Sequence, residues 1–185
     1  MTEPPELTSS GALDFQSWLA ENGPSLKPPV GNKELFPGSS DFIVMVVGGP
    51  NQRTDYHVDP YEEVFYQITG SMHIDLMTAT GPQTVTIAAG QMWVLPRLMP
   101  HSPQRPEPGS IGLVFERVRE PGTLESFQWY CPSCHALVHE TTLQVTDIAS
   151  DLPPIFTAFY QDVSARTCGQ CGTEHPGQAE LPPPA

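Results

Sequence analysis

The chain has 185 residues, enough for one domain with a full hydrophobic core, or one domain plus a small appendage. Its net charge of −13, with two lysines and six arginines, repels nucleic acid and anionic membrane. No run of about 18 apolar residues offers a membrane span.

The N-terminus, MTEPPELTSS, is acidic and contains proline. It lacks the basic start and apolar stretch of a secretory signal, so the protein is expected in the cytoplasm. Residues 1–10 and the tail 178–185 are expected to be disordered. Leu13, Phe15, Trp18 and Leu19 fall near helical spacing, and Gly23 is a natural stop. A loop punctuated by Pro and Gly follows.

From about residue 40 the pattern becomes one of short runs rich in β-branched and aromatic residues. These are DFIVMVVGG, EVFYQITG, SMHIDLMTA, QTVTIAAG, QMWVLP and SIGLVFERV. Turn residues separate them at roughly 8–12-residue spacing, the signature of an antiparallel sandwich or barrel. MHIDLM alternates, which predicts one buried and one wetter face and makes His73 an ordinary strand residue. Phe65, Tyr66, Trp93 and Phe115 read as core. No internal repeat is present.

After Pro121 the character shifts. FQWYCPSCHALVHETTL holds a CxxC between strand-like runs, PPIFTAFYQD reads as a short helix started by proline, and RTCGQCGTEH holds a second CxxC. About 60 residues build little core alone, and a metal staple suits them. Cys131, Cys134, Cys168 and Cys171 supply four thiolates on two knuckles, a set that suits tetrahedral iron or zinc in a reducing compartment. CPSCH also matches the haem c attachment pattern. That reading requires export and leaves CGQC unexplained. With four cysteines completing one site, His135, His139 and His175 are expected to be non-ligands.

The second constellation is His57, Glu63 and His101. His57 precedes the EVFYQI strand and Glu63 opens it. His101 follows a proline-punctuated turn. Such positions on neighbouring barrel strands can point inward side by side. Two imidazoles and a carboxylate on one face of a metal leave the opposite positions open, which suits Fe(II) oxygen chemistry. Asp59 and Glu62 read as turn and surface carboxylates.

Gly49, Asp55, His57, Glu63 and Gly70 form G-x5-D-x-H-x5-E-x6-G, which resembles the first cupin motif. Gly90, Pro96 and His101 form G-x5-P-x4-H, which resembles the second. The departures favour three metal ligands over four. Asp55 stands where many cupins have a histidine, Leu98 replaces a usual glycine, and Arg105 replaces a common asparagine. Together with GGPNQRTDYHVDPYEEVFYQITG, LPRLMPHSPQRPEPGS, VFERVR and FQWYCPSCHALVHE, the chain from about residue 12 to 177 resembles the 3-hydroxyanthranilate 3,4-dioxygenases. The closest resemblance is to the short single-cupin bacterial form with a rubredoxin-like C-terminal CxxC pair.

The resemblance implies a mainly β cupin (jelly-roll) barrel over residues 11–120 and a C-terminal extension over 121–177 with the four-cysteine site. It implies Fe(II) on His57, Glu63 and His101, a second iron (or zinc) of structural role on the cysteines, and a homodimer. The implied reaction opens the ring of 3-hydroxyanthranilate with both atoms of O2. Its product, 2-amino-3-carboxymuconate semialdehyde, can close to quinolinate, a step of tryptophan catabolism by the kynurenine route and of NAD formation. Arg53 and Arg105 occupy the family's positions for binding the substrate carboxylate, which a guanidinium fork matches. Glu116 matches a glutamate that contacts the substrate's polar groups and moves protons, unless it pairs with Arg117 or Arg119. Asp55 takes an orienting role or serves the turn. Two further readings share these residues: a cupin dioxygenase of another anionic aromatic substrate, and a cupin that binds a small molecule without chemistry.

Overall fold

A computed structural model of the chain describes residues 11–27, 31–39 and 41–178. The disorder expected at residues 1–10 and in the tail from 179 onward lies outside them. Helix α1 (Phe15–Asn22) starts where Asp14 accepts a hydrogen bond from the Ser17 N–H, and Gly23 receives its end. Two antiparallel sheets follow. One has the order β1 (Asn32–Glu34), β2 (Phe42–Gly48), β9 (Ile111–Arg117), β4 (Glu63–Thr69) and β7 (Met92–Leu95). The other has the order β11 (Leu137–Leu143), β10 (Glu125–Tyr130), β3 (Tyr56–Val58), β8 (His101–Gln104), β5 (Ser71–Thr78) and β6 (Gly81–Ala88). This is the mainly β sandwich expected from the strand spacing.

Period-2 alternation decides which side chains face the interior. On β5, Met72, Ile74 and Leu76 are buried, while His73 and Asp75 face outward 3.9 Å apart. On β4 the buried set is Glu63, Phe65 and Gln67, so a carboxylate shares the inner face with the core aromatic. Val47, Phe65, Met72, Ile74, Leu76, Ile87, Leu95 and Val114 form the core between the sheets.

β3 and β8 have three and four residues, too short to show alternation in sequence. They carry the two candidate metal histidines. The expected boundary at residue 120 falls between β9 and β10, and β10 continues the six-stranded sheet by pairing with β3, Phe127 opposite His57. A second core of Phe127, Trp129, Val145 and Phe159 lies under the C-terminal segment. Helix α2 (Ile148–Gln161) covers it, with Trp129 stacked on Phe159 at 4.3 Å. That helix begins five residues before the proline pair, because the Asp151 carboxylate accepts the Thr146 and Asp147 N–H groups at its start. The short helix α3 (Val163–Arg166) leads into the second cysteine knuckle. Among the described residues no helix is long and apolar enough to cross a membrane.

Candidate metal centre and substrate site

β3 and β8 pair at one position, His57 opposite His101. That register points both rings at the inner face, where β4 of the other sheet presents Glu63. His101 Nε2 lies 3.0 Å and His57 Nδ1 3.7 Å from Glu63 Oε1. The three ligand atoms lie within 4.8 Å of one another and all three residues are buried. The remaining ring nitrogens donate outward. His101 Nδ1 donates to the Met99 carbonyl at 2.9 Å, and His57 Nε2 to Glu125 at 2.7 Å. Glu63 Oε1 has no hydrogen bond of good geometry although it is buried. An orphaned carboxylate oxygen facing two imidazole nitrogens fits a divalent metal. Burial opposes the Glu63 charge, but His101, with His57 behind it, holds the carboxyl well below its usual range.

Leu98, in the position where cupins usually have glycine, keeps the left-handed backbone that glycine serves, with φ 61. Its N–H donates to the Asp59 carbonyl at 2.7 Å, tying the turn before His101 to the turn after His57. Asp59 accepts from the Tyr61 N–H, the turn role expected of it, and it is also fully buried. Glu62 is exposed.

The two candidate substrate arginines sit on adjacent loops, since Asn51 and Arg105 exchange both backbone hydrogen bonds at 2.7 Å. They differ in state. Arg53 donates through Nε and Nη2 to Asp55, which is buried. Burial works against the Arg53 charge and Asp55 more than restores it. Gln104 of β8 also clamps the Arg53 backbone, accepting from its N–H and donating to its carbonyl. Arg105 is 2% exposed, and its Nε and Nη2 have no partner. Nη2 packs against Gly112 on the inner face of β9, 3.4 Å from where a Cβ would stand. Burial alone brings its pKa down to about 10. A buried guanidinium without a counter-ion is a site for an anion.

Glu116 points inward from β9, and its Oε2 lies 2.7 Å from Arg119 Nη1. The pairing with Arg119 raised as an alternative is therefore present. Burial, reinforced by the Glu63 charge, still raises the Glu116 pKa against the pull of Arg119. Sequence reading missed Glu125, and it raised Arg119 only as an alternative partner of Glu116. Glu125 lies 68 residues from its partner His57, in a stretch with no local motif. The scarcity of cations was the one signal available for Arg119.

The four cysteines form a separate cluster, with all sulfurs within 4.8 Å. Cys131 and Cys171 are 3.5 Å apart, Cys134 and Cys168 3.6 Å. The edge of a tetrahedron with centre–sulfur distance ~2.3 Å is ~3.8 Å. The two knuckles repeat one geometry. Cys131 and Cys168 each accept from the fourth residue on, His135 or Gly172, and each donates to the fifth, Ala136 or Thr173. His135 and Gly172 both have positive φ, at 61 and 75. The histidine of CPSCH is thus an exposed turn residue of a sulfur knuckle.

A two-sheet β sandwich whose interior gathers two histidines and a glutamate able to hold a metal ion defines the class: a cupin-like fold with a candidate metal centre. The family model described as 3-hydroxyanthranilic acid dioxygenase matches residues 7–160, and the chain belongs to that family. It is 48% identical over 173 residues to the 3-hydroxyanthranilate 3,4-dioxygenase of Paraburkholderia phytofirmans, covering 94% of this chain and 99% of that one. It is 49% identical to that of Jannaschia sp., covering 90% and 92%. Among solved structures, a cupin-2 domain protein of Shewanella frigidimarina aligns at TM-score 0.46 and 17% identity, over 57% of this chain and 94% of that one.

Proposed function

We propose that the chain catalyses the ring-opening dioxygenation of 3-hydroxyanthranilate to 2-amino-3-carboxymuconate semialdehyde, with Fe(II) held by His57, Glu63 and His101. The observation that carries this reading is the buried, unpartnered Arg105 guanidinium in a barrel that also encloses an orphaned His2Glu set. An anionic ligand and a metal each complete one half of that interior. When bound, the iron supplies a centre at which an ortho aminophenol and O2 can meet on adjacent positions.

The protein's own residues do the rest. Arg105 takes the substrate carboxylate, and Arg53, held in place by Asp55 and Gln104, supplies the second fork. Glu116 faces the substrate hydroxyl and accepts its proton, since burial has raised its affinity for one. The dry core around Phe65 and Val114 excludes water from the ring. The cysteine cluster binds iron or zinc and is structural, stapling the two ends of the extension 121–177 to each other. A four-thiolate metal set suits a reducing, cytoplasmic setting.

The molecule works as a homodimer. Met92 and Val94 are exposed on edge strand β7. They continue the cross-strand rows Tyr66–Leu113 and Val64–Phe115 into an apolar outer face suited to a second copy.

The test loads purified protein anaerobically with Fe(II), adds 3-hydroxyanthranilate and air, and follows product absorbance and O2 uptake. One O2 consumed per ring opened is expected. Silence with iron confirmed at the triad points to another aromatic acid, and tight binding without O2 uptake to a non-catalytic cupin.

A further inference from the structure

Glu125 and Arg119 have no part in the function proposed above, yet they lie at its centre. Glu125, on β10, is 1% exposed. Its Oε2 stands 2.7 Å from His57 Nε2, the ring nitrogen turned away from Glu63. Arg119 grips the same carboxylate in a fork, Nε to Oε1 at 2.7 Å and Nη2 to Oε2 at 3.2 Å. Its Nη1 reaches Glu116 Oε2 at 2.7 Å, and its Nη2 reaches Asp59 Oδ2 at 3.4 Å. One buried guanidinium therefore spans from the carboxylate behind a metal ligand to the carboxylate that handles the proton.

Filling this space for stability alone calls for apolar side chains, because buried ion pairs seldom repay their desolvation. What a carboxylate adds is direction. A carboxylate accepts only, so His57 Nε2 carries a hydrogen towards Glu125, and Nδ1 is the nitrogen available to a metal on the Glu63 side. His101 is fixed in the opposite sense, with its Nδ1 donating to the Met99 carbonyl and Nε2 available on the Glu63 side. The two histidines thus offer different nitrogens to the metal, and only His57 has an ionised partner behind it.

We propose that Glu125 and Arg119 are positioning residues of the metal centre. Glu125 fixes the tautomer and tilt of His57, and Arg119 bridges Glu125 and Glu116, so that ligand and proton acceptor keep one mutual geometry. The inference rests on His57 being a metal ligand. It makes the segment after residue 120 part of the centre, through β10 paired to β3.

The test measures Fe(II) affinity by chelator competition in full-length Glu125→Ala, Glu125→Gln, Glu125→Asp and Arg119→Gln, beside His57→Ala. Cysteine-site metal content and melting temperature are followed in each. Glu125→Ala is expected to weaken Fe(II) binding roughly 10–100-fold, the usual cost of removing a ligand's carboxylate partner, with the cysteine site still filled. Glu125→Asp keeps a carboxylate and should recover most of that affinity, which a merely space-filling role does not predict. Arg119→Gln should lower kcat more than it raises KM. If Glu125→Ala fails to fold, the isosteric Glu125→Gln decides. Parental Fe(II) affinity in folded Glu125→Ala and Glu125→Gln, while His57→Ala loses iron, overturns the positioning role alone. Retention of iron by His57→Ala overturns the ligand reading on which it rests.

Discussion

His57 and His101 face each other in register across β3 and β8, and each turns a ring nitrogen towards the same oxygen of Glu63. The two rings come from one sheet and the carboxylate from the other, so the centre also bridges the sandwich. Replacing Glu63 with alanine removes the oxygen both nitrogens face. We expect the variant to lose the catalytic iron and at least about 100-fold of activity while its four-cysteine site stays filled. Metal content and turnover measured on the same preparation check this. Full activity in Glu63→Ala would refute the triad.

Arg105 gives an opposite result for stability and function. With its pKa brought to about 10 by burial, the guanidinium is charged at pH 7 in both folded and unfolded chains. Folding therefore carries a penalty on the order of 3 kcal/mol, because burial takes the guanidinium from 12.5 to about 10. The penalty is fully present below pH 10 and is relieved as pH rises through 10 towards the ordinary value near 12.5. Arg105→Met should melt several degrees higher than the parent without ligand, and should no longer bind the substrate. A melting curve with and without substrate tests both. A lower melting temperature would mean the charge has a partner in solution.

The second cysteine knuckle reaches the substrate loop. Thr54 Oγ1 donates to the Gly177 carbonyl, next to Arg53 and Asp55. Cys171→Ser, by releasing metal from the cluster, should free this strap and raise KM more than it lowers kcat. Iron at the triad should remain. The measurement is a KM and kcat pair beside metal content for each site, and an unchanged KM would uncouple the knuckle from the loop.

His175 predicts an acid-sensitive C-terminal segment. Burial, with the Arg166 charge behind it, takes its pKa to about 4, and its Nδ1 accepts the Gly177 N–H. The unfolded chain binds this proton near pH 6.5 and the folded chain does not. The contribution is therefore complete above pH 6.5 and is lost as pH falls towards 4, by at most about 1.4 kcal/mol per pH unit. His175→Gln should flatten that window relative to the parent in melting curves from pH 4 to 7. Parallel curves would mean His175 stays neutral in neither or both states.

The strands that carry the core were legible because each has enough residues to show alternation, as Met72, Ile74 and Leu76 do on β5. The two clusters of candidate metal ligands were legible because ligand chemistry leaves residue types at fixed spacing: two CxxC pairs, and a histidine six residues before a glutamate. β3 and β8 were not legible as strands, since three or four residues carry no periodicity. The start of α2 was misplaced because Asp151 caps it from within.

The sequence by itself determined the mainly β architecture, two sets of candidate metal ligands and a scarcity of cations that marked the arginines. Those are local properties of residue type and spacing. Only the tertiary structure decided the state of each charged group. Arg53 is paired and Arg105 is not. Glu116 shares Arg119 with Glu125, and Glu125 stands behind His57 across 68 residues of chain. The reason is that burial and opposite charge set the behaviour of an ionisable group, and both depend on which distant strands are brought side by side.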